Sequence, residues 1–430
     1  MDSKQVIQQL NAPEKQARLN ALRAVKGMID AGEIETAPVS VYTNNHVHTT
    51  YSFSPYSPSK TLYMAKKAGL STVGILDHDS MSGAKEFIEA GEIMEMPITI
   101  GFEMRVSYLN TPLEGRRINN PDQISSAYIA AHGVPHSKID EANAFLENVR
   151  QARNQRNRRM IDKLNVIAAK AGISIDYNAD VLPISQAASG GGVTERHLLF
   201  AFTHKLIDKF GKGQPLLDAL TGTFGLTLAQ KQKEMMLDDA YEYYDYDVLN
   251  VLKGGFVSEI YIDANEDEMV PVKQAVDFIK RIGAIPSYCY LGDVGASPTG
   301  DKKEQKFEDD YLEEVLDLNR DIGFAAIAFM PSRNTAAQLL HLMPMLEERG
   351  FFQISGEDIN QPRQSFICKQ LTDEKYIHLI DTTWALIGHE MEASADITRG
   401  MFYGGIAADQ RELEDKIDRY MAIAKGGQAT

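Results

Sequence analysis

The sequence predicts an α/β fold in which seven strands form a barrel, interrupted by one inserted helical lobe. Short apolar runs alternate with segments of helical periodicity along most of the 430 residues, an alternation typical of strand–helix–strand units. The runs are apolar throughout, as in a parallel sheet that is buried on both faces. Histidines or carboxylates follow several runs, at the carboxyl ends of strands, where barrels of this class build their active sites.

The composition is that of a soluble globular protein, with 43% hydrophobic and 24% charged residues. A formal net charge of −16 argues against a broad nucleic-acid-binding face, although local positive charge could still bind a small anion. The only cysteines, Cys289 and Cys368, predict reduced thiols. Because the first residues are polar and no uncharged apolar run reaches membrane-spanning length, we expect a cytoplasmic protein without a membrane partner.

Residues 1–37 are expected to form an N-terminal helical segment, because spaced apolar residues alternate with Lys, Arg and Glu, with a break at Pro13. The first strand is predicted at 38–42 and leads toward His46 and His48. Side chains separated by one residue point the same way on extended backbone, so these two imidazoles can grip one metal ion.

The next three predicted strands each deliver further candidate residues. A helix over 59–69, which follows a proline and stops at a glycine, connects the first strand to the second. The strands and the residues after them are 72–76 with Asp77 and His78, 97–102 with Glu103, and 127–131 with His132. A carboxylate at the place of Glu103 can bridge two cations, although an ordinary acid at the barrel rim would show the same pattern.

Residues 140–255 are predicted to form the inserted helical lobe, because helical spacing dominates this stretch. Its first helix contains the arginines Arg153, Arg156, Arg158 and Arg159. The favoured interpretation places them on a solvated helix face. The functional alternative is an arginine that swings over an anionic substrate, since a lobe at this point could cap the site.

The alternation of strands and helices resumes after the lobe, so the barrel is predicted to comprise 38–139 and 256–375. Its last three strands are expected at 284–290, 323–329 and 350–355, and the last of them delivers Glu357 and Asp358. Residues 376–430 are expected to form a C-terminal helical segment. Within it, His389-Glu390 lacks the second histidine of a helical zinc-protease motif, which favours a structural role.

The candidate ligands are histidines and carboxylates without thiolates. Such a set suits Zn, Mn or Fe in a hydrolytic site and disfavours a closed structural zinc site. Its members fall at predicted strand ends: His46, His48, Asp77, His78, Glu103, His132 and Asp358. Because these ends meet at one face of a barrel, we expect the seven side chains to converge there.

The motifs resemble those of the PHP (polymerase and histidinol phosphatase) metal-dependent phosphoesterases. The resemblance runs through four segments: His46 to Ser52, Ala65 to Gly74, Leu76 to Ala84 and Gly101 to Glu103. It is strongest for the branch with a helical insertion, in which a glycine-rich turn precedes a Gly-Arg-Pro-His motif. The corresponding stretch here runs from Gly192 to His197 and contains Arg196. About 40–365 are covered by the resemblance.

This resemblance implies a distorted seven-stranded (β/α)7 TIM-like barrel that binds two or three divalent metal ions. A first ion would be held by His46, His48, Glu103 and Asp358. A second would be shared by Glu103 and His132. Asp77 and His78 would lie at or beside a further metal or the phosphate. Arg196 and His197 would reach from the lobe toward the substrate.

The chain departs from the family pattern at three places. Asn44 replaces an acid before the first histidine, Pro286 to Cys289 replace an Ala-His-Pro sequence, and Glu357 to Asn360 replace a closing Ser-Asp-x-His. Two histidine ligands are thereby lost, so two ions are expected and a third site is doubtful. The residues that could substitute are Tyr288, Cys289, Glu357 and Asn360.

The predicted function is hydrolysis of a small phosphate ester, such as a nucleotide or sugar phosphate, by water that a divalent metal activates. Arg196 would neutralise charge on the phosphoryl oxygens, and His197 or His78 could protonate the leaving alcohol. The predicted partner is a small phosphorylated molecule rather than a nucleic-acid polymer. Two alternatives are a degenerate family member that binds metal and ligand without turnover, and a hydrolase of C–N bonds on the same metals.

Overall fold

The computed structural model describes residues 2–294 and 305–426. Its helices are α1 (Ser3–Gln9), α2 (Lys15–Asp30), α3 (Pro58–Ala68), α4 (Ala84–Met94), α5 (Ile139–Ala168), α6 (Glu195–Phe210), α7 (Gln214–Asp218), α8 (Gln230–Leu237), α9 (Tyr244–Ile260), α10 (Val272–Arg281), α11 (Leu312–Ile322), α12 (Ala336–Glu348), α13 (His378–Ala395) and α14 (Gln410–Ala424). Its strands are β1 (Thr43–Val47), β2 (Thr72–His78), β3 (Ile98–Ser107), β4 (Ser126–His132), β5 (Val270–Pro271), β6 (Ile285–Cys289), β7 (Ala326–Phe329) and β8 (Phe352–Ser355).

Seven of the strands form one nearly closed barrel in the order β1-β2-β3-β4-β6-β7-β8, and the two-residue β5 pairs with β3. The α/β barrel predicted from the sequence is therefore confirmed. The local signals for α3 are also as expected: the Ser57 hydroxyl accepts a hydrogen bond from the Lys60 N–H at the start, and Gly69 ends the helix with φ of 80°. That left-handed conformation favours glycine.

The first strand begins at Thr43, beyond the predicted 38–42. The earlier stretch lies outside the sheet, with Val39 and Val41 exposed to 64% and 54%. Polar Asn44 and Asn45 stand inside the strand instead. The apolar composition of 38–42 was therefore a misleading strand signal, because Val39 and Val41 remain in solvent.

The fourth strand runs antiparallel to both of its neighbours, β3 and β6, so the prediction of an all-parallel sheet is wrong. Parallel neighbours need a crossover connection, which is usually a helix. Between Ser107 and Ser126 the structure has no helix, and the chain simply turns back. The carboxyl end of β4 therefore points the opposite way to those of β2 and β3, and Ala131 near this end pairs with Phe102 in the middle of β3.

The barrel closes at a seam between β1 and the residues that follow β8. One parallel bridge joins Val47 and Ile359, with the His48 N–H donating to the Ile359 carbonyl at 2.9 Å. The Asn44 side chain adds to the seam, since its Oδ1 accepts from the Glu357 N–H at 2.9 Å and its Nδ2 donates to the Glu357 carbonyl at 3.2 Å. Asn44, which stands where the resemblance led us to expect an acid, thus replaces a missing stretch of strand pairing.

The end of the barrel opposite the β2 and β3 carboxyl ends is covered by α13. Ala385 and Leu386 of this helix belong to a buried cluster with Ile285, Phe352 and Ile354 of the barrel. His389-Glu390 also makes structural contacts: the Glu390 carboxylate accepts from the Ile100 N–H at 2.8 Å, and His389 Nδ1 accepts from the Met401 N–H at 2.9 Å. No helix within the described ranges is long and apolar enough to cross a bilayer.

Helices α5 to α9 lie between β4 and β5 in the chain and bury a hydrophobic cluster drawn mostly from their own residues. Arg158 and Arg159 of α5 are exposed as expected. The prediction is wrong for Arg153 and Arg156, which are buried. These two follow Val149 at helical spacing and so share its buried face rather than the polar one.

Candidate metal centre

Three side chains of β1 and β3 converge at the mouth of the barrel. His46 and the residue after the strand, His48, come from β1, and Glu103 comes from the middle of β3. One ligand atom from each lies within 4.8 Å of the other two. This is the separation expected of atoms that could share one cation. The His-x-His spacing and the Gly-Phe-Glu sequence therefore place their side chains together, although β3 continues past Glu103 to Ser107.

Glu103 is the centre of the cluster. Its Oε2 lies 3.1 Å from His78 Nδ1, 3.7 Å from His46 Nε2 and 3.8 Å from His48 Nε2. The rings of His48 and His78 are stacked with centroids 4.5 Å apart. Asp358 reaches the cluster across the barrel seam, with its Oδ1 3.1 Å from His48 Nε2.

Several buried ring nitrogens in this region make no hydrogen bond with a described residue: Nε2 of His46, His48 and His132, and Nδ1 of His78. Those of His48 and His78 lie 3.1 Å from carboxylate oxygens, which could accept from them only if the nitrogens carried a proton. An unpaired buried polar atom is costly. Because unprotonated imidazole nitrogens next to carboxylates are the usual ligands of Zn, Mn or Fe, the donor set fits a divalent cation.

The pKa shifts near the cluster favour the neutral form of His132 and His78 and the charged form of Asp358. Burial lowers the pKa of His132 to about 3 and, with the nearby His48 and Arg153, lowers that of His78 well below its usual value. Burial opposes the charged form of Asp358, but its contacts with His48 hold its pKa well below the usual range. His46 is the exception: burial lowers its pKa, and Glu103 more than offsets this.

His132 comes from a strand that runs opposite to those of the other candidates, contrary to the all-parallel sheet that the sequence predicts. Its Cα pairs with Ile285 at the start of β6, deeper in the barrel. The positive charge of His46 contributes to its lowered pKa, so the two imidazoles are near neighbours. His132 therefore approaches the cluster from inside the barrel, rather than from the loops at its mouth.

Asp77 does not join the cluster. Its carboxylate accepts hydrogen bonds from the Thr49 N–H at 2.7 Å, the Thr49 hydroxyl at 2.6 Å and the Ser52 hydroxyl at 2.7 Å. These contacts hold the loop that follows His48. In the structure the Asp77 carboxylate thus stabilises that loop and does not face the ring nitrogens of the cluster.

The four possible substitute ligands occupy different places. Cys289 ends β6, and after burial the carboxylates of Glu103 and Asp358 are the causes that raise its thiol pKa, so it faces the cluster. Tyr288 points to the other side of the strand, where its hydroxyl donates to Glu308 at 3.0 Å.

Glu357 and Asn360 lie beside Asp358 on the seam. Asn360 Nδ2 donates to Asp358 Oδ1 at 2.6 Å, which orients that carboxylate. One Glu357 oxygen accepts from the Ser332 hydroxyl, while its Oε1 is buried without a partner among the described residues. Asn360 therefore supports Asp358 in the structure.

The glycine-rich turn before α6 packs directly on the barrel loops. The Gly192 N–H donates to the Tyr51 carbonyl at 2.7 Å, and a Cβ at Gly192 would stand only 2.8 Å from the His78 carbonyl oxygen. A side chain there would force the turn away. Glycine thus lets the start of α6 approach the cluster.

Arg196 and His197 follow this turn in the first turn of α6. The Thr194 N–H donates to His197 Nδ1 at 3.0 Å, which leaves the ring proton on Nε2. The ring packs edge-on against Phe53 at 4.9 Å. Burial lowers the pKa of His197 to about 3, so the imidazole is a neutral donor at physiological pH.

Two residues near the cluster lack any motif in the sequence. Lys253 of α9 has its pKa lowered to about 8, first by the charge of Arg196 and then by burial. Neither Lys253 nor Arg196 has an ion pair or hydrogen bond with another described residue. Tyr128 of β4 places its ring 5.8 Å from that of His78. In the sequence, only their spacing from other residues could have indicated these two side chains. Tyr128 lies on the same strand face as His132, and Lys253 lies on the same face of α9 as Tyr246.

Comparison with known proteins gives the fold and the family. No curated protein matches the chain. A proposed metal-dependent phosphoesterase from Bifidobacterium adolescentis superimposes with a TM-score of 0.52 at 19% identity, over 80% of this chain and 96% of that one. An amidohydrolase from Chromobacterium violaceum, solved with bound sulfate and no metal, gives a TM-score of 0.50 at 16% identity, over 76% and 90% of the two chains.

At these identities the two structures show a shared fold only. The family follows from a separate match, because the model of the PHP domain matches residues 44–282. The matched part runs from Asn44 through the histidine pair, β2, β3 and the helical insertion to the end of α10. The chain is a member of the PHP domain family.

Proposed function

We propose that this protein is a metal-dependent phosphoesterase that hydrolyses a small phosphorylated molecule. The observation that carries the proposal is the set of buried, unpaired ring nitrogens gathered around Glu103. Membership of the PHP family supports the hydrolytic class. The unpaired cations Arg196 and Lys253 near Asp358 support an anionic substrate.

The proposed ligand sets follow the positions of the side chains. One cation would be held by His46, His48, Glu103 and Asp358. A second would be held by Glu103, His132 and Cys289, with His78 at the edge of the pair. When bound, Zn, Mn or Fe ions supply Lewis-acid polarisation of phosphoryl oxygens and acidify water.

The residues of α6 and α9 would bind and orient the phosphoryl group. Arg196 presents a planar guanidinium that can contact two phosphoryl oxygens, and Lys253 adds a second positive charge. The Nε2–H of His197 would donate to a third oxygen. Because His197 and His78 are neutral, neither is a strong candidate for the acid that protonates the leaving alcohol, a role the sequence had suggested for them.

We also propose that 140–255 acts as a lobe that caps the site. The bidentate ion pair of Arg363 with Asp247, with contacts of 2.8 and 2.7 Å, ties α9 to the segment that contains Asp358. Ser80 donates to the Gly190 carbonyl at 2.8 Å on the other side of the mouth. Such an enclosure favours a small substrate over a polymer and excludes bulk water.

The test is to purify the protein with Mn or Zn, count bound ions, and measure phosphate release from a panel of phosphomonoesters. His48→Ala should lose bound metal and activity together. His341→Ala provides the matched control, because His341 is an exposed histidine of α12 and should change neither.

Three results would contradict the proposal in different ways. Full activity of His48→Ala would remove the cluster from the reaction. Bound metal without turnover of any ester would favour a binding protein, in line with the two lost histidines. Release of ammonia or an amine from amide or amidine substrates, with no phosphate release, would favour C–N bond hydrolysis.

A further inference from the structure

The residue after His78 has an unusual backbone conformation. Asp79 has φ of 54°, a left-handed value that costs a side-chain-bearing residue about 1 kcal/mol or more. Its N–H donates to the Glu103 carbonyl at 2.8 Å, and its own carbonyl accepts from Arg150 at 2.8 Å. The conformation turns the chain sharply just where His78 points at Glu103.

The side chain of Asp79 is held by Arg153 of α5. Arg153 Nη1 lies 2.5 Å from Asp79 Oδ2, and both side chains are 3% exposed. Arg153 Nη2 donates to Glu195 Oε2 at 3.2 Å. Glu195 directly precedes Arg196 and His197. One buried guanidinium thus joins the residue after His78 to the residue before the two proposed phosphate contacts.

Arg156, one turn further along α5, offers a natural comparison. It is 1% exposed and donates to Glu195 at 2.7 Å and to Glu268 at 2.6 Å. Arg153 also approaches Glu268, at 3.9 Å. The two arginines therefore share their burial, their helix and both glutamates. Their other contacts differ: Arg153 pairs with Asp79, whereas Arg156 donates to the Ile262 carbonyl at 3.1 Å and lies over the Tyr261 ring.

We propose that Arg153 is a positioning residue that fixes the His78 side of the barrel against Arg196 and His197 of α6. This inference rests on the proposed function, because it assigns those residues to one site. Among the described residues Arg153 donates no hydrogen bond to a histidine of the cluster, and it acts through Asp79 and Glu195. Without it, the Asp79 turn and the first turn of α6 would no longer share a fixed partner, and the two halves of the site would lose their alignment.

The experiment compares Arg153→Met with Arg156→Met in the full chain. Both substitutions leave buried carboxylates short of a partner, so both should lower stability by similar amounts. Since a misplacement of about 1 Å can cost about 100-fold in rate, Arg153→Met should lower kcat on the preferred ester by about that factor while retaining bound metal. Arg156→Met should lower it by less than about tenfold. Equal losses of kcat in the two variants would overturn the proposal.

A second variant and a second measurement keep the inference testable if the methionine variants do not fold. Asp79→Asn removes the same ion pair from the barrel side with little change in volume. In the full chain labelled with heavy nitrogen in histidine, the ring nitrogens of His78 should shift in Asp79→Asn, because the contact with Glu103 changes. An unchanged His78 signal would overturn the proposal. If the wild type hydrolyses no ester, the proposed function fails, and the histidine signal alone decides the role of Arg153.

Discussion

Replacing the carboxylate at the centre of the cluster is the sharpest test of metal binding. In Glu103→Gln the side chain keeps its shape but loses the negative charge that lies 3.1 to 3.8 Å from three imidazoles. A neutral amide is a poor ligand for a divalent cation. We therefore expect the variant to fold and to bind metal weakly.

The size of the effect follows from the charge that is lost. Two unit charges about 4 Å apart interact by about 4 kcal/mol at an effective dielectric constant of about 20. A 100-fold loss of affinity, about 2.8 kcal/mol, is therefore a conservative expectation. Metal at about 100 times its dissociation constant stabilises the wild type by about 2.7 kcal/mol, whereas the same concentration should stabilise Glu103→Gln by about 0.4 kcal/mol.

The assay is urea unfolding with and without excess Mn, in which each variant serves as its own metal-free reference. Glu390→Gln is the matched control. Glu390 is 4% exposed and lies 3.0 Å from His136, much as the 9%-exposed Glu103 lies beside His78. The control should lose stability yet keep the full metal-dependent gain. The reasoning is refuted if Glu103→Gln keeps that gain as well.

Three further predictions address the second ion, the barrel periphery and pH. Cys289→Ala should lower the number of tightly bound ions measured after gel filtration, and an unchanged count would exclude the thiol as a ligand. Arg18→Met should lower the free energy of unfolding in urea by about 3–5 kcal/mol, because it leaves the buried Glu86, which is 1% exposed, without its ion-pair partner. A decrease below about 1 kcal/mol would contradict this. The hydrogen bond from Glu390 raises the pKa of His136, with burial opposing. The stability gap between wild type and His136→Gln should therefore be largest at acid pH and shrink as pH rises through that raised pKa; a gap that is flat with pH would refute this.

The part of the site that the sequence predicts well is local in the chain. One residue separates His46 from His48, and Glu103 follows a clear apolar run, so strand geometry alone brings them to the barrel mouth. Asp358 followed from its place after the last strand. Its contact with His48 depends on the closure of the barrel, which the count of strand–helix units predicts.

Strand direction was not predictable from the apolar runs, because a run of buried residues has the same composition in either direction. The clue to β4 was the missing helix between Ser107 and Ser126. That absence also explains why His132 lies deeper than a rim residue. The buried arginines had a clue as well: Val149, Arg153 and Arg156 are spaced at four and three residues, which puts the charges on the apolar stripe of α5.

Lys253 could not be found from the sequence, because its position near Arg196 and Asp358 depends on how α9 packs over the barrel. The same holds for Asp77, whose carboxylate accepts hydrogen bonds from Thr49 and Ser52 of the preceding loop. In both cases the decisive partner lies in another segment of the chain, and no local pattern of residues specifies it.

The seam of the barrel also determines when the candidate site can be completed during synthesis. Asn44 and Glu357, which hold the seam, are 313 positions apart, and Asp358 reaches His48 over a similar separation. Contacts of such long range form late, since the intervening chain must first be made and ordered. A nascent chain in which only His46 and His48 have been synthesised therefore lacks the other proposed ligands, Glu103 and Asp358. If the proposed ligand set binds a cation, we expect tight binding on the ribosome only after nearly the whole barrel has emerged.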